Sequence, residues 1–349
     1  MLFLAALVLF LVTSLLVVIV VFCANDTSDG FMGRLHRWLL NDVPNALSDG
    51  ILRLCGERAH RHVVATVQYV LHERNPLMQM VYLLLVGGGY GLFLIYGQPL
   101  IPNVYLAPHH TICVLFLATA ALCTFFQASS TSAGILNERT SRWHDHYPFD
   151  GVMYKKDNTC STCKCIKVAR SKHCTVCNVC VPRFDHHCGW LNACVGERNY
   201  KSFLAFIITN ACFLLYGAYV LTCILLSEVV TLQLFQSQFV DQATGAPTNA
   251  TTFIVFRYML HIHPVNMMLL FICVVMGAAL TCFSLFHLRL VAQNRTTNEF
   301  FKQRSLRTAT RDAYTLESFW ANVAEVLFPV CDQRLQKALD LHHAKAKQE

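Results

Sequence analysis

The chain has 349 residues, of which 54% are hydrophobic and only 14% charged, and its formal net charge is +7. A soluble globular domain carries about a quarter charged residues, so this composition, with a mean hydropathy of +0.41, excludes an ordinary soluble globule and points to membrane insertion. The basic residues gather beside apolar spans instead of forming an arm or stripe, which suits an anionic membrane face and argues against a nucleic-acid partner.

In chain order, residues 1–23 are almost uninterrupted Leu, Val, Phe, Ile and Ala, long enough to cross about 30 Å of hydrocarbon. The stretch lacks a basic n-region, and Cys23-Ala24-Asn25 is a poor small-x-small cleavage site. It reads as the first transmembrane span, a retained signal anchor, with a cleaved signal peptide as the alternative. Residues 24–77 are polar, and Phe31 to Leu54 and His60 to Leu71 have partly amphipathic helical spacing. They read as a cytosolic segment, built either of short interfacial helices or as a simple linker.

Residues 78–127 hold the second and third spans, Met78 to Gly97 and Thr111 to Gln127. Gly87-Gly88-Gly89 and Gly91 permit close helix approach or a local kink. The connector Pro99 to His109 has no Lys, Arg, Asp or Glu, which places it in the lumen. Residues 128–201 carry Arg139, Arg142, Lys155, Lys156, Lys164, Lys167, Arg170 and Lys172 among other basic residues and are cytosolic by the positive-inside rule. Residues 202–288 hold the fourth and fifth spans, Ser202 to Leu226 and Val265 to Leu288, around a luminal loop with the glycosylation triplet Asn249-Ala250-Thr251. Two further triplets, at Asn25 and Asn294, fall on the cytosolic side.

Residues 289–349 form a basic-leaning cytosolic tail in which Thr315 to Val330 has helical spacing. The chain ends Lys345-Ala346-Lys347-Gln348-Glu349, similar to the dilysine signals that return membrane proteins to the endoplasmic reticulum; a solvated charged end is the plainer reading. Five spans put the N-terminus in the lumen and the C-terminus in the cytosol. The expected fold is a polytopic all-α membrane protein with a cytosolic cysteine-rich module.

That module is Cys160 to Cys194, with eight cysteines and three histidines. Cys-x-x-Cys pairs turn back to offer two soft ligands to one tetrahedral metal. Two zincs take eight of these eleven side chains, and counting does not name the three left over. Asp185-His186-His187-Cys188 places a carboxylate, an imidazole and a thiol together, a set able to serve as orienter, base and nucleophile. Seventeen cysteines suggest a disulfide scaffold at first sight, but their placement in spans and in this cluster favours reduced cytosolic thiols.

The run DHHCGWLNACVGERNY at Asp185 to Tyr200, the upstream CSTCKC and HCTVCNVC, and Thr296-Thr297-Asn298-Glu299 resemble the integral-membrane DHHC protein S-acyltransferases, or palmitoyltransferases. The resemblance implies two structural zinc ions on interleaved sets: Cys160, Cys163, His173 and Cys180, and Cys174, Cys177, His187 and Cys194. Cys165, His186 and Cys188 are then left over. It further implies Cys188 as nucleophile, His186 as base and Asp185 as the residue that orients it. The co-substrate is a fatty acyl-CoA, and the acyl group passes through a thioester on Cys188 to cysteines of membrane-associated proteins, in endoplasmic reticulum or Golgi membranes.

In the same family Thr296, Thr297 and Glu299 support the catalytic module, and Asn322 partly matches a tail motif, although Val326-Leu327-Phe328-Pro329 lacks its glycine. Gly189 and Gly196 suit tight turns, Trp190 packs or meets the acyl group, and Asn199 and Phe203 read as structural. Arg183, Arg198 and Lys201 either meet CoA phosphates or simply satisfy the charge rule. The chain has no glycine-rich phosphate loop, GxSxG elbow or dinucleotide fingerprint. The competing readings are a zinc-stabilised membrane scaffold without turnover and, less well supported, a metal transporter.

Overall fold

The computed structural model describes residues 30–240, 245–306 and 313–332. The span expected over residues 1–23 and the Lys345–Glu349 ending lie outside them. The chain divides into two units, Met1–Glu73 and Arg74–Glu349.

In the first unit, helix α1 (Phe31–Arg37) runs through a π-helical turn, Trp38–Asp42, into α2 (Val43–His72). The wider turn comes just before Pro44, which has no N–H for the i→i−4 ladder. Gly56, at φ 78° and ψ 174°, breaks α2, a conformation that only glycine adopts at low cost. The break falls between the two amphipathic stretches, and the segment is helical where a linker was the alternative.

The second unit is built on α3 (Leu77–Tyr96), α4 (His109–Ser130), α5 (Tyr200–Thr231) and α7 (Pro264–Ala292). Among the described residues these four helices are long and apolar enough to cross a membrane, since 20 residues at about 1.5 Å rise span the hydrocarbon layer. The fold is that of a multi-pass membrane protein. Glycine permits close packing here, but not where the spacing suggested. A Cβ on Gly87, Gly88, Gly89 or Gly91 meets nothing within 4 Å, whereas one on Gly277 of α7 lies 3.2 Å from Leu215 and one on Gly217 of α5 lies 3.3 Å from Cys273. Small residues belong where two helices touch, and that contact is α5 against α7.

At one end of the bundle the connector after α3 reaches the end of α5, and the start of α7 reaches the end of α3. Val104 N–H donates to Ser227 Oγ at 3.4 Å and Asn266 Nδ2 to the Tyr96 carbonyl at 2.9 Å. The loop after α5 holds a hairpin, β5 (Gln238–Val240) with β6 (Pro247–Asn249), and a short apolar helix α6 (Thr252–Ile262). Thr251 caps α6 by accepting Ile254 N–H.

The opposite end gathers the start of α3, the end of α4, the start of α5 and the end of α7. On it sit the cysteine-rich segment, helix α8 (Thr297–Leu306) and helix α9 (Phe319–Leu327). One hydrophobic cluster joins the cysteine-rich segment and α9 to the bundle: Tyr82, Phe125, Phe206 and Ile207 from the bundle pack with Cys188, Leu191, Val195, Phe203, Val291 and Val326. Inside it Tyr82 donates to the Ala121 carbonyl and to Asn210 Oδ1, at 3.2 and 3.0 Å, so the buried hydroxyl is paired.

Candidate active site and metal sets

Two three-residue hairpins carry the cysteine-rich segment. In the first, β1 (Lys172–Cys174) pairs with β2 (Val179–Val181) so that His173 stands opposite Cys180. In the second, β3 (His186–Cys188) pairs with β4 (Ala193–Val195) so that His187 stands opposite Cys194. Successive side chains on a strand point to opposite faces. His173 and Cys174 therefore diverge, as do His187 and its two neighbours.

The structure brings Cys160, Cys163, His173 and Cys180 together as one set and Cys174, Cys177, His187 and Cys194 as another, with ligand atoms within 4.8 Å of one another in each. Around His173 Nδ1 the sulfurs of Cys160, Cys163 and Cys180 lie at 3.6, 3.3 and 3.8 Å. Around His187 Nδ1 those of Cys174, Cys177 and Cys194 lie at 3.7, 3.3 and 3.7 Å. Bonds of about 2.3 Å to sulfur and 2.0 Å to nitrogen around a tetrahedral zinc give S···N edges of about 3.5 Å, so both sets fit that ion. Backbone N–H groups of Cys163 and Cys177 point at Cys160 and Cys174 sulfur, each at 3.4 Å, and help hold the thiolates that a metal requires.

Cys165 belongs to neither set. It is buried with Leu136, Val168, Cys160 and Cys180, and its carbonyl accepts Cys160 N–H at 2.9 Å, so it closes the first Cys-x-x-Cys turn.

His186 and Cys188 share the strand face turned away from His187. Asp185 is buried, and its two oxygens are spoken for: Oδ2 accepts from His186 Nδ1 at 2.7 Å and Oδ1 from the Thr297 backbone N–H at 2.8 Å. Burial alone raises a carboxyl pKa, but the His186 hydrogen bond and charge outweigh it and hold Asp185 below its usual range. For His186 burial opposes protonation, yet hydrogen bonds to Asp185 and Cys188 prevail and lift it to about 10. The protonated imidazole is thus favoured at His186, on the strand face it shares with Cys188. The ring packs edge-on against Phe203, centroids 5.1 Å apart. Cys188 is buried in the cluster shared with the four membrane-capable helices.

The Thr296-Thr297-Asn298-Glu299 tetrad is a reciprocal helix cap. Thr296 Oγ1 accepts Glu299 N–H at 3.2 Å, and Glu299 Oε2 accepts Thr296 N–H at 2.9 Å. The next amide, Thr297, is the one that holds Asp185. Glu299 also takes a bidentate pair from Arg170, Nε and Nη2 each at 2.8 Å. Burial would raise the Glu299 pKa; the Arg170 charge overrides it and lowers it. Arg170 and Arg183 both reach Asn294 Oδ1, at 3.1 and 2.9 Å. Asn322 on α9 donates to the Ala292 carbonyl at 3.0 Å and accepts Leu316 N–H at 2.8 Å, tying the tail to the end of α7.

The remaining candidates fall into place around this. Asn199 Oδ1 accepts Gly196 N–H at 2.9 Å, and its amide donates to the Cys194 and Thr131 carbonyls at 2.9 and 3.0 Å. Gly196 has no room for a side chain: a Cβ would sit 2.7 Å from Val181 and 2.9 Å from the Pro182 carbonyl. Gly189 faces open space apart from Met78 at 3.9 Å, and Trp190 is exposed. Arg183 is buried and Arg198 pairs with Asp332 at 2.9 Å, so neither is a free phosphate contact. Sequence reasoning missed a cavity of about 250 Å³ lined by Lys155, Lys167, Lys172 and Lys302 with Ser171 and Asn298. No spacing signals it, because its lysines come from separate segments.

The model of the DHHC palmitoyltransferase family matches residues 153–304. A bovine (Bos taurus) protein named palmitoyltransferase ZDHHC4 is 30% identical over 300 residues, covering 80% of this chain and 87% of its own length. Its mouse (Mus musculus) namesake is 29% identical over 295 residues, 84% of this chain and 83% of its own. Palmitoyltransferase swf1 of Schizosaccharomyces pombe is 33% identical over 180 residues, about half of each chain. A chain with these hairpins, these ligand sets and this likeness along most of its length belongs to the DHHC palmitoyltransferase family.

Proposed function

We propose that this chain is a protein S-acyltransferase that moves a long-chain fatty acyl group, palmitoyl in the simplest case, from acyl-CoA to cysteines of membrane-associated proteins. The observation that carries the reading is the face-sharing of His186 and Cys188, with Asp185 behind, against a cluster made by the membrane-capable helices. The Cys188 thiolate attacks the thioester carbonyl carbon. The bond to the CoA sulfur breaks, and His186 gives that sulfur its proton. His186 then takes the proton of the substrate thiol, whose sulfur attacks the acyl carbon and releases Cys188. Asp185 keeps the imidazole oriented and stabilises its charged form. One thioester replaces another, so no nucleotide is consumed.

A long acyl chain remains in the hydrocarbon during this exchange, since each methylene drawn into water costs about 0.8 kcal/mol. The lysine-lined cavity suits the phosphates of CoA: Lys172 bonds Asn298 at 3.0 Å, and Asn298 follows the threonine that holds Asp185. The two zinc ions, on the sets named above, supply folding energy to the module and take no part in the exchange. Purified protein incubated with labelled palmitoyl-CoA tests the reading. Wild type and Cys165→Ser are expected to acquire a hydroxylamine-sensitive label, and Cys188→Ser to acquire none with zinc content unchanged. Zinc lost together with the label in Cys188→Ser would return that cysteine to the ligand sets.

For topology we infer that residues 24–77, 128–201 and 289–349 face the cytosol, with the first span over residues 1–23 giving a luminal N-terminus, in endoplasmic reticulum and Golgi membranes. Asn249, exposed at the bundle end away from Cys188, is then luminal. The expected outcome is a mobility shift on enzymatic deglycosylation that Asn249→Gln abolishes. A protease-accessible Asn249 loop in sealed cytosol-side-out vesicles would reverse the orientation.

A further inference from the structure

A third group of metal-ligating side chains converges outside the two cysteine-rich sets. His144 ends a single helical turn, Glu197 lies between Cys194 and α5, and Cys331 follows α9. All three are buried, and their ligand atoms lie within 4.8 Å of one another. His146 stands on the other oxygen of Glu197. Its side chain is 6% exposed, its Nε2 pairs with Glu197 Oε1 at 3.2 Å, and its Nδ1 has no hydrogen-bond partner. What points to a cation is the convergence of an imidazole, a carboxylate and a thiol, all buried, within 4.8 Å.

We propose that His144, Glu197 and Cys331 form a third metal site that takes a divalent transition-metal ion of the zinc type. The donor set decides the class. Imidazole, carboxylate and thiolate are all zinc ligands, whereas magnesium and calcium demand oxygen throughout. One edge differs from those of the cysteine-rich sets. His144 Nδ1 and Glu197 Oε2 are 2.6 Å apart, the length of a hydrogen bond, while sulfur and nitrogen in the other sets are 3.3 to 3.8 Å apart. A proton bridges this edge, and an entering metal displaces it to solvent together with the thiol proton of Cys331.

The three ligands come from segments far apart in the chain: one before the module, one after it, one in the C-terminal tail. Arg198 to Asp332, at 2.9 Å, is a second tether beside the same point. An ion here clips the tail onto the module three residues from the zinc ligand Cys194. It is independent of acyl transfer.

The full-length protein, purified in detergent with zinc present and then dialysed free of loosely held metal, tests the site by two measurements. Plasma mass spectrometry is expected to give three zincs per chain. Zinc-edge X-ray absorption is expected to give an average of about two and a third sulfurs per zinc, where two Cys3His sets alone give three. His144→Ala with Cys331→Ala is expected to lose one zinc and restore the average to three. A wild-type ratio of two or fewer overturns the site, as does a third zinc that persists in the double variant. If that variant fails to fold, the wild-type sulfur average decides by itself, and a value of three sinks the proposal.

Discussion

Between His186 and His187 there is one peptide bond and a complete division of labour. The strand pleat sends His187 to the sulfurs of Cys174, Cys177 and Cys194 and leaves His186 with Asp185 and Cys188. Two outcomes follow for two adjacent alanine substitutions. His187→Ala is expected to lose zinc from its set and, with it, the folded module. His186→Ala is expected to keep full zinc content and to slow Cys188 acylation by about 10² to 10⁴-fold, the usual reach of a positioned acid-base group. Metal analysis and single-turnover acylation on the same preparations check both, and zinc loss in His186→Ala would contradict the assignment. Spacing in the sequence reveals eleven possible Cys and His ligands but not this choice, because the two imidazoles are chemically identical. Family resemblance named it; the register of the hairpin supplies the physical reason.

Helix α8 shows how an element far along the chain sets the reacting groups. Its first turn is capped by Thr296 and Glu299, and the amide so exposed at Thr297 holds Asp185. Glu299 is at the same time half of a buried pair with Arg170, both side chains no more than 1% exposed. Removing one member of such a pair strands the other charge, a loss of about 3–5 kcal/mol, whereas replacing both by apolar groups costs far less. Glu299→Gln is therefore expected to lower thermal stability sharply and to slow acylation through Asp185, while Arg170→Met with Glu299→Leu recovers much of the stability and none of the helix cap. Equal melting temperatures for the single and double variants would contradict this. The resemblance gave the tetrad a supporting part, and the structure adds the cap made by Thr296 and Glu299. The pairing with Arg170 was not legible, since 129 residues separate the partners and no periodicity links them. Helix α6, an eleven-residue apolar segment inside an expected loop, went unseen, and the glycines of α3 drew attention that belonged to Gly217 and Gly277.

Among the described residues the four apolar spans were readable because each of these helices carries its own signal of length and hydropathy. The assembly of module, tail and bundle end into one site was not, because it rests on single long-range bonds such as Asn322 to Ala292. The two parts also differ in what holds them. The bundle helices satisfy their own backbone and pack along their length, but the module has two hairpins of three residues per strand, and its small clusters consist largely of the ligand cysteines with Val181, Phe184, Leu136 and Val168. Hairpins that short are not stable alone, and metal binding, about 10–16 kcal/mol for comparable sites, is expected to fold them. A strong chelator is thus expected to abolish acyl loading and to open residues 131–199 to limited proteolysis while the far-UV helical signal falls only slightly, with zinc restoring both. Collapse of the helical signal in step with zinc loss would mean that the bundle depends on the module for its fold, since the chelator touches nothing within the helices.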